Sequence, residues 1–428
     1  MQHTTTEIRL KNGARGLLID VPGATVMSFQ FQFRAGNRYT KSQDVYETAH
    51  IMEHMAFGAN SMFKTEHEYE AEFTKNGAYH NAFTSDLSMV YMADCAYFEW
   101  ERIFDLQKYA ICQPKFNNVE LTAEKGNVRS ELTGYLNNHN SVLWPKVQQA
   151  LGENILTFPQ RLKTIQNVTL DDIKKHHART HCAKNMRFVI AGKLLGHKAD
   201  IQRKLEDWDL NSGERFEIPR DVMSRAKPIL IRRKEASNLT FGWSMTIPRE
   251  LSDEESDAMN CLDHILTGTM HSRIYGAARK KGLAYGMFSD TTVGCHDSSW
   301  DFGGQVNLET ADELFDIIVR ELKHVLNGKI KDEEISAAKS YGLGRYQMGA
   351  QTVAQISSFY TSRYFADDTV KDYEKVPLSI NNISRDCMIS TAREFIHNNT
   401  WVLAGVSSGE KNHIDKLNSK LEVLFEGV

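Results

Sequence analysis

The chain has 428 residues, of which 41% are hydrophobic and 25% charged, an ordinary composition for a soluble globular protein. Its length predicts two domains of about 200 residues each, both large enough to bury a core. The formal net charge of -4 provides no basic field, so we expect neither nucleic acid nor an anionic membrane surface as a partner.

The cysteines and the apolar segments narrow the class of protein further. The six cysteines are scattered singly, with no Cys-x-x-Cys pair, which indicates reduced thiols and offers no cysteine-rich zinc site. No apolar run of about 18 residues is present, so we expect no membrane span. The N-terminal residues show no signal or transit pattern, and we therefore expect a cytoplasmic protein, although a removed presequence would leave no trace.

The first clear strand is predicted at Thr25–Ala35, where apolar and polar residues alternate strictly. The apolar set is Met27, Phe29, Phe31 and Phe33, and the polar set is Ser28, Gln30, Gln32 and Arg34. A period of two residues is typical of a strand with one buried face.

The most informative segment, Glu47-Thr-Ala-His50-Ile-Met-Glu53-His54, contains the pattern His-x-x-Glu-His. On a helix, His50 and His54 project from the same face, and Glu53 can reach the same space. Two neutral imidazoles suit a zinc ion that activates a water, with a carboxylate accepting the proton of that water. The alternative is a helix with two incidental histidines, because the chain contains 16 His.

A catalytic zinc usually takes three protein ligands, so a second helix must supply the third. The segment Asn117–Leu136 is predicted to be helical, with Asn118 as its candidate N-cap. On this helix Glu124 and Glu131 lie about two turns apart and share one face. One carboxylate can bind the metal while the other hydrogen-bonds a ligand imidazole, unless both are exposed surface residues.

The second half of the chain repeats features of the first. The alternating strand returns at Leu239–Ile247, where Phe241 takes the place of Phe29. The segment Val189–Gly192 returns as Val402–Gly405, at almost the same offset. A near-constant offset of about half the chain predicts an internal duplication, and two unrelated domains with common strand patterns are the alternative.

The boundary between the halves is predicted in the polar, turn-rich segment between Leu210 and Pro228. We therefore predict domains at residues 1–215 and 216–428. Each half begins with strands, passes through helices and closes on a strand. This order predicts an α+β fold of two homologous domains, each a mainly antiparallel sheet with packed helices.

Overlaying the two halves tests the metal motif in the second copy. With Gly58 placed on Gly268, the motif falls on Asn260, Asp263 and His264. The second copy has lost one imidazole and shortened its carboxylate. We therefore predict a metal site in the first domain and a degenerate site in the second.

The order of these motifs resembles that of the pitrilysin/insulinase family of zinc peptidases, in particular its two-domain members of the mitochondrial processing peptidase type. The resemblance implies that Glu131, which follows His54 at close to the family's spacing, is the third zinc ligand. It also implies that Glu124 does not bind the metal itself but contacts one of the imidazoles that do. The closing strand of the family's first domain is similar to Asn185–Gly192.

The segment Gly77–Ser85 is similar to the family's Gly-Gly-x-x-Asn-Ala-x-Thr-Ser. In the family this segment is an edge strand along which substrate peptide binds in extended form. The resemblance implies substrate-binding residues at Asn81, Ala82 and Phe83.

The segment Ser272–Tyr285 resembles the family's Ser-Arg-Leu stretch followed by Arg-x-x-x-Gly-Leu-x-Tyr. The resemblance implies that Arg279 and Tyr285 bind the substrate backbone and the developing oxyanion. Only two residues separate Arg279 from Gly282, where the family commonly has three. A solvated arginine at a helix end is the alternative interpretation.

These features predict a zinc-dependent endopeptidase that hydrolyses peptides or unfolded segments inside a chamber, with Zn2+ as cofactor and Glu53 as general base. Family members of twice this length enclose such a chamber with four domains, so we expect a homodimer, or a heterodimer with a related chain. The alternatives are a non-catalytic or partner subunit of a heterodimeric peptidase or larger complex, and a hydrolase acting on small molecules.

Overall fold

The computed structural model describes residues 1–426. Its strands in chain order are β1 (Thr4–Arg9), β2 (Arg15–Asp20), β3 (Val26–Phe33), β4 (Tyr79–Thr84), β5 (Met89–Ala96), β6 (Met186–Gly192), β7 (Ile229–Arg232), β8 (Asn238–Ile247), β9 (Ala284–Val293), β10 (Ser298–Asn307) and β11 (Trp401–Ser407).

The α-helices in chain order are α1 (Thr48–Ala56), α2 (Glu66–Thr74), α3 (Trp100–Cys112), α4 (Asn118–Tyr135), α5 (His139–Leu151), α6 (Phe158–Thr164), α7 (Leu170–Thr180), α8 (Lys198–Glu206), α9 (Asp253–Leu266), α10 (Arg273–Lys280), α11 (Ala311–Leu326), α12 (Asp332–Met348), α13 (Val353–Asp367), α14 (Val376–Asn382), α15 (Arg385–His397) and α16 (Lys411–Glu422). Across residues 1–426, none of these helices combines the length and the apolar character needed to cross a membrane.

The chain forms two compact units, each built from three segments. The first unit comprises Met1–Gly134, Phe158–Pro219 and Met348–Lys371. The second comprises Tyr135–Thr157, Arg220–Gln347 and the chain from Asp372 onward. The units therefore differ from the predicted halves, 1–215 and 216–428, in the two segments that carry α5 and α13.

The sheet of the first unit has the strand order β1-β2-β6-β3-β5-β4. Strands β2 and β6 are parallel, and all other neighbours are antiparallel. The aromatic face of β3 packs into the core, where the ring of Phe31 lies 6.2 Å from Phe104 and 4.8 Å from Trp208. The alternating segment thus forms the predicted strand and buries its aromatic side chains.

The polar face of β3 is buried as well, which corrects the prediction of a strand with one buried face. Gln30 and Gln32 are only 8% and 7% exposed. Helix α13 packs across β3 and β6, and Gln30 Nε2 donates a hydrogen bond to Ser357 Oγ at 3.2 Å. The alternation identifies the strand, but it carries no information about a helix from the far end of the chain.

The sheet of the second unit has the order β7-β11-β8-β10-β9, with β7 and β11 parallel and the others antiparallel. This arrangement repeats the order β2-β6-β3-β5-β4 of the first sheet. The prediction of an α+β fold with two homologous, mainly antiparallel domains is therefore confirmed.

Helix α5 covers β8 and β11 in the second unit, as α13 covers β3 and β6 in the first. Gly242 of β8 makes this approach possible. A Cβ atom at that position would stand 3.3 Å from side-chain atoms of both Leu143 and Trp144. A side chain at position 242 would therefore require Leu143 and Trp144 to shift by a few tenths of an ångström.

Candidate active site

The His-x-x-Glu-His segment forms α1, and its histidines lie on one face as the spacing predicts. The two rings are edge to face, with centroids 5.0 Å apart. His50 is 8% exposed because most of α1 is buried in the unit. This burial fixes the position of His50 in the unit, whereas His54 is part-exposed.

Helix α4 brings a carboxylate between these two rings. Glu131 Oε2 lies 3.3 Å from His50 Nε2 and 3.5 Å from His54 Nε2. One donor atom from each of the three residues lies within 4.8 Å of the others. The structure thus brings together the three residues expected to bind zinc, although two different helices carry them.

The remaining ring nitrogens are each held by another carboxylate. His50 Nδ1 donates to Glu47 Oε2 at 3.0 Å, and His54 Nδ1 donates to Glu124 Oε2 at 2.9 Å. An ionised carboxylate can only accept, so Nδ1 carries the hydrogen in both rings. In the neutral tautomer the lone pair is on Nε2, which faces Glu131.

The carboxylates change the proton affinity of both imidazoles. Burial alone would lower the pKa of His54, but hydrogen bonds to Glu124 and Glu131 outweigh it and raise the pKa to about 10. The pKa of His50 is also raised against burial, by hydrogen bonds to Glu131 and Glu47. The cluster therefore attracts positive charge strongly.

This donor set fits a zinc ion. Two imidazole nitrogens and one carboxylate oxygen converge, and each imidazole is backed by a carboxylate on its other nitrogen. The stabilisation of protons on both rings shows that the surrounding carboxylates favour a cation in this place. A metal would have to displace those protons, so its binding should weaken as the pH falls.

Glu53 differs from the other acidic residues of the cluster. Its side chain is part-exposed, and its charge acts on both histidines. Within residues 1–426, no hydrogen bond or ion pair engages its carboxylate. Glu53 is thus available to exchange a proton with a bound water or substrate.

The predicted substrate strand is β4, which forms the outer edge of the first sheet and pairs only with β5 among the described strands. Phe83 is 46% exposed, whereas Ala82 is 6% exposed. Asn81 Oδ1 accepts a hydrogen bond from the Ala82 backbone N–H at 2.9 Å. Helix α1 packs against β4, so the edge strand and the histidine cluster belong to one body.

Arg279 and Tyr285 lie in the second unit, at the end of α10 and the start of β9. The Arg279 guanidinium lies 4.5 Å over the Tyr285 ring, and the tyrosine is 82% exposed. Pairing between β9 and β10 is irregular beside Tyr285, where the register shifts between Gly304 and Val306. Such an irregularity turns a side chain away from the regular pleat.

The second copy of the motif is used for packing. Asp263 accepts hydrogen bonds from Trp300 Nε1 and Thr291 Oγ1, both at 2.8 Å. Burial raises the pKa of Asp263 to about 7. The His264 ring stacks on Tyr341 with centroids 4.0 Å apart, and Asn260 is exposed. The described part of this copy brings no third donor to these residues.

Two residues of the site were not predicted. Glu47 holds His50, and Arg161 of α6 binds Glu47 through Nε at 2.6 Å and Nη2 at 3.0 Å. Glu47 stands three residues before His50, so helical spacing alone gave a signal for it. Arg161 lies far downstream of both, and no local pattern indicates this contact.

Two family models match the chain. The model described as Insulinase (Peptidase family M16) matches residues 17–156, and the model described as Peptidase M16 inactive domain matches residues 167–341. Among curated proteins, the chain is 25% identical over 196 residues to the mitochondrial-processing peptidase subunit beta of Caenorhabditis elegans. That match covers 45% of this chain and 42% of the relative, less than half of its length.

Solved structures of similar fold cover nearly the whole chain. A protease from Helicobacter pylori matches with a TM-score of 0.80 at 16% identity, over 95% of this chain and 100% of that one. A structure from Pseudomonas fluorescens, titled as a peptidase M16 inactive domain, matches with a TM-score of 0.82 at 16% identity, over 95% and 98%. At this identity the likenesses show the fold alone. The two family models together match more than half of the sequence, and the chain belongs to peptidase family M16.

Proposed function

We propose that this protein is a zinc-dependent endopeptidase. The main support for the proposal is the convergence of His50 Nε2, His54 Nε2 and Glu131 Oε2. Beside them lies the carboxylate of Glu53, which makes no hydrogen bond or ion pair with the described residues. A purely structural histidine pair would not need three carboxylates around it and a fourth left free.

His50, His54 and Glu131 would hold the metal. When bound, zinc lowers the pKa of water and polarises a carbonyl group. Glu53 accepts the proton of the attacking water as its oxygen bonds to the scissile carbonyl carbon. The same carboxyl group then donates that proton to the leaving amine nitrogen as the peptide bond breaks. Glu47 and Glu124 keep the two imidazoles in one tautomer throughout.

The substrate we propose is an extended or unfolded peptide. An edge strand such as β4 offers unpaired backbone groups, so a peptide can add to the sheet at Asn81, Ala82 and Phe83. By resemblance to the family, we assign Tyr285 to the oxyanion and Arg279 to the substrate backbone. Main-chain pairing gives affinity with little dependence on sequence.

Assembly forms part of the proposal. Two copies of this chain would enclose a chamber as a homodimer, and a heterodimer with a related chain is the second possibility. Light scattering should then give a mass near twice 48.8 kDa. Cleavage should fall sharply as substrates become folded, and an equal rate on folded proteins by a monomer would contradict the chamber.

A non-catalytic or partner subunit is the competing function. The description of the second-half model as an inactive domain favours it, although that half is also where the motif is degenerate. The two functions are distinguished by one measurement: a peptidase hydrolyses peptides as the purified chain, whereas a non-catalytic subunit does not.

Mass-spectrometric cleavage profiling of a peptide mixture tests the proposal. The purified chain should cleave unfolded peptides, lose this activity to a chelator and regain it with added zinc. Glu254→Gln, on an exposed turn of α9, is the matched control and should behave like the wild type. Zinc binding without any cleavage would favour the subunit function.

A further inference from the structure

The Glu47 carboxylate is the most enclosed charge beside the histidine cluster. Its side chain is 0% exposed. Glu47 stands at the N-cap position of α1, yet its side chain makes no capping hydrogen bond to the helix. The carboxylate instead accepts from His50 Nδ1. The carboxylate is thus oriented toward the histidine rather than toward the first-turn N–H groups of the helix.

Arg161 fixes this orientation from the other side. Its Nε and Nη2 bond to both Glu47 oxygens, which forms a two-pronged ion pair. The guanidinium lies 5.3 Å over the Phe158 ring and 5.9 Å over the Tyr46 ring. Rotating the carboxylate would break both bonds and leave an uncompensated buried charge. Glu47 therefore has one stable orientation.

Glu124 holds the second histidine in a different way. Its carboxylate accepts from the Asn127 side-chain amide at 3.1 and 3.0 Å. Within residues 1–426, no arginine or lysine forms an ion pair with it. The carboxylates that bind the two histidines thus differ. Glu47, which binds His50, is neutralised by Arg161, whereas Glu124, which binds His54, has no such counter-charge.

We propose that Arg161 is a positioning residue of the metal site. By clamping Glu47, it fixes the His50 ring with Nε2 directed at Glu131. Neither Arg161 nor Glu47 needs to contact the metal, and their ion pair adds no net charge to the site. This inference rests on the proposed zinc site, and it adds a specific reason for the geometry of one ligand.

The affinity of Arg161→Met for Zn2+, measured by competition with a chromophoric chelator, tests the proposal. Methionine retains apolar contact with Phe158 but offers no donor to Glu47. Affinity should fall about 10- to 100-fold, as for the loss of other outer partners of metal-binding histidines. Arg161→Lys keeps the positive charge but cannot bond to both Glu47 oxygens as the guanidinium does, so it should recover only part of the zinc affinity.

Arg187→Met is the matched control. Arg187 is also buried in an ion pair of the first unit, with a side chain 5% exposed and Asp368 as its partner. Its loss should reduce stability but leave zinc affinity unchanged. The absorption spectrum of the Co2+-loaded protein reports ligand geometry, and it should change in Arg161→Met but not in Arg187→Met.

The double variant Arg161→Met with Glu47→Gln covers the case in which the single variant does not fold. It removes the buried charge, and the glutamine oxygen can still accept from His50 Nδ1. This protein should fold and still bind zinc more weakly than the wild type. Wild-type zinc affinity and cobalt spectrum in the Arg161 variants would overturn the inference and leave the proposed function intact. A wild-type chain that binds no zinc would overturn both.

Discussion

His176 links the stability of the first unit to pH in a way that can be calculated. Its ring is 4% exposed on the inner face of α7, and Nε2 donates to the backbone carbonyl of Ala35 at 2.8 Å. Burial lowers the pKa of His176 to about 4. In an unfolded chain the pKa of a histidine is about 6.5.

The unfolded chain therefore binds a proton below about pH 6.5 that the folded protein accepts only near pH 4. Because the unfolded state binds more protons in this window, stability is lost as the pH falls through it. From the two pKa values, the loss is about 1 kcal/mol at about pH 5.5 and between about 2 and 3 kcal/mol at about pH 4.5.

The variant His176→Gln isolates this contribution, because a glutamine amide can still donate to Ala35 but does not titrate. Urea unfolding of both proteins should be compared from neutral pH to about pH 4.5, with chelator present to remove metal linkage. His177 and His181, whose pKa values are also lowered by burial, remain in both proteins. The variant should lose less stability than the wild type by the amounts given. The same pH dependence in both proteins would refute the reasoning.

Three further predictions concern the site and the fold. Glu124→Gln should weaken zinc binding about 10- to 100-fold, because it removes the charge behind His54; unchanged affinity in a chelator competition would contradict this role. Tyr285→Phe should lower kcat with little change in zinc content, and a wild-type kcat would remove Tyr285 from the mechanism. A fragment of residues 1–215 lacks α13 and should unfold at a lower temperature than the full chain; a fragment with the same thermal midpoint by circular dichroism would show that α13 is dispensable.

The sequence predicts the features that depend on local spacing. The alternation around Phe29 and Phe31 yields β3, and the segment predicted as the helix Asn117–Leu136 forms α4 at Asn118–Tyr135. The four-residue spacing places His50 and His54 on one face. In each case a short period along the chain fixes which side chains share a surface.

Features that depend on distant segments could not be predicted in this way. Gln30 is buried because α13 packs over β3, and no sequence pattern near β3 indicates that a helix covers this strand. Glu131 could be assigned only through the family resemblance, since any two glutamates on one helix face look alike in sequence. The family resemblance did not indicate Arg161, because its contact with Glu47 depends on how α6 packs against the turn Gln43–Val45 that precedes α1.

The most direct test of the account is the zinc content and peptide hydrolysis of Glu53→Gln, measured on the same preparation beside the wild type. The substitution removes the proposed base but none of the three proposed ligands. The variant should bind one zinc per chain as the wild type does, while kcat falls by about 10²- to 10⁴-fold. Wild-type hydrolysis by Glu53→Gln, or loss of zinc together with activity, would contradict the assignment of Glu53 as the base beside a site formed by His50, His54 and Glu131.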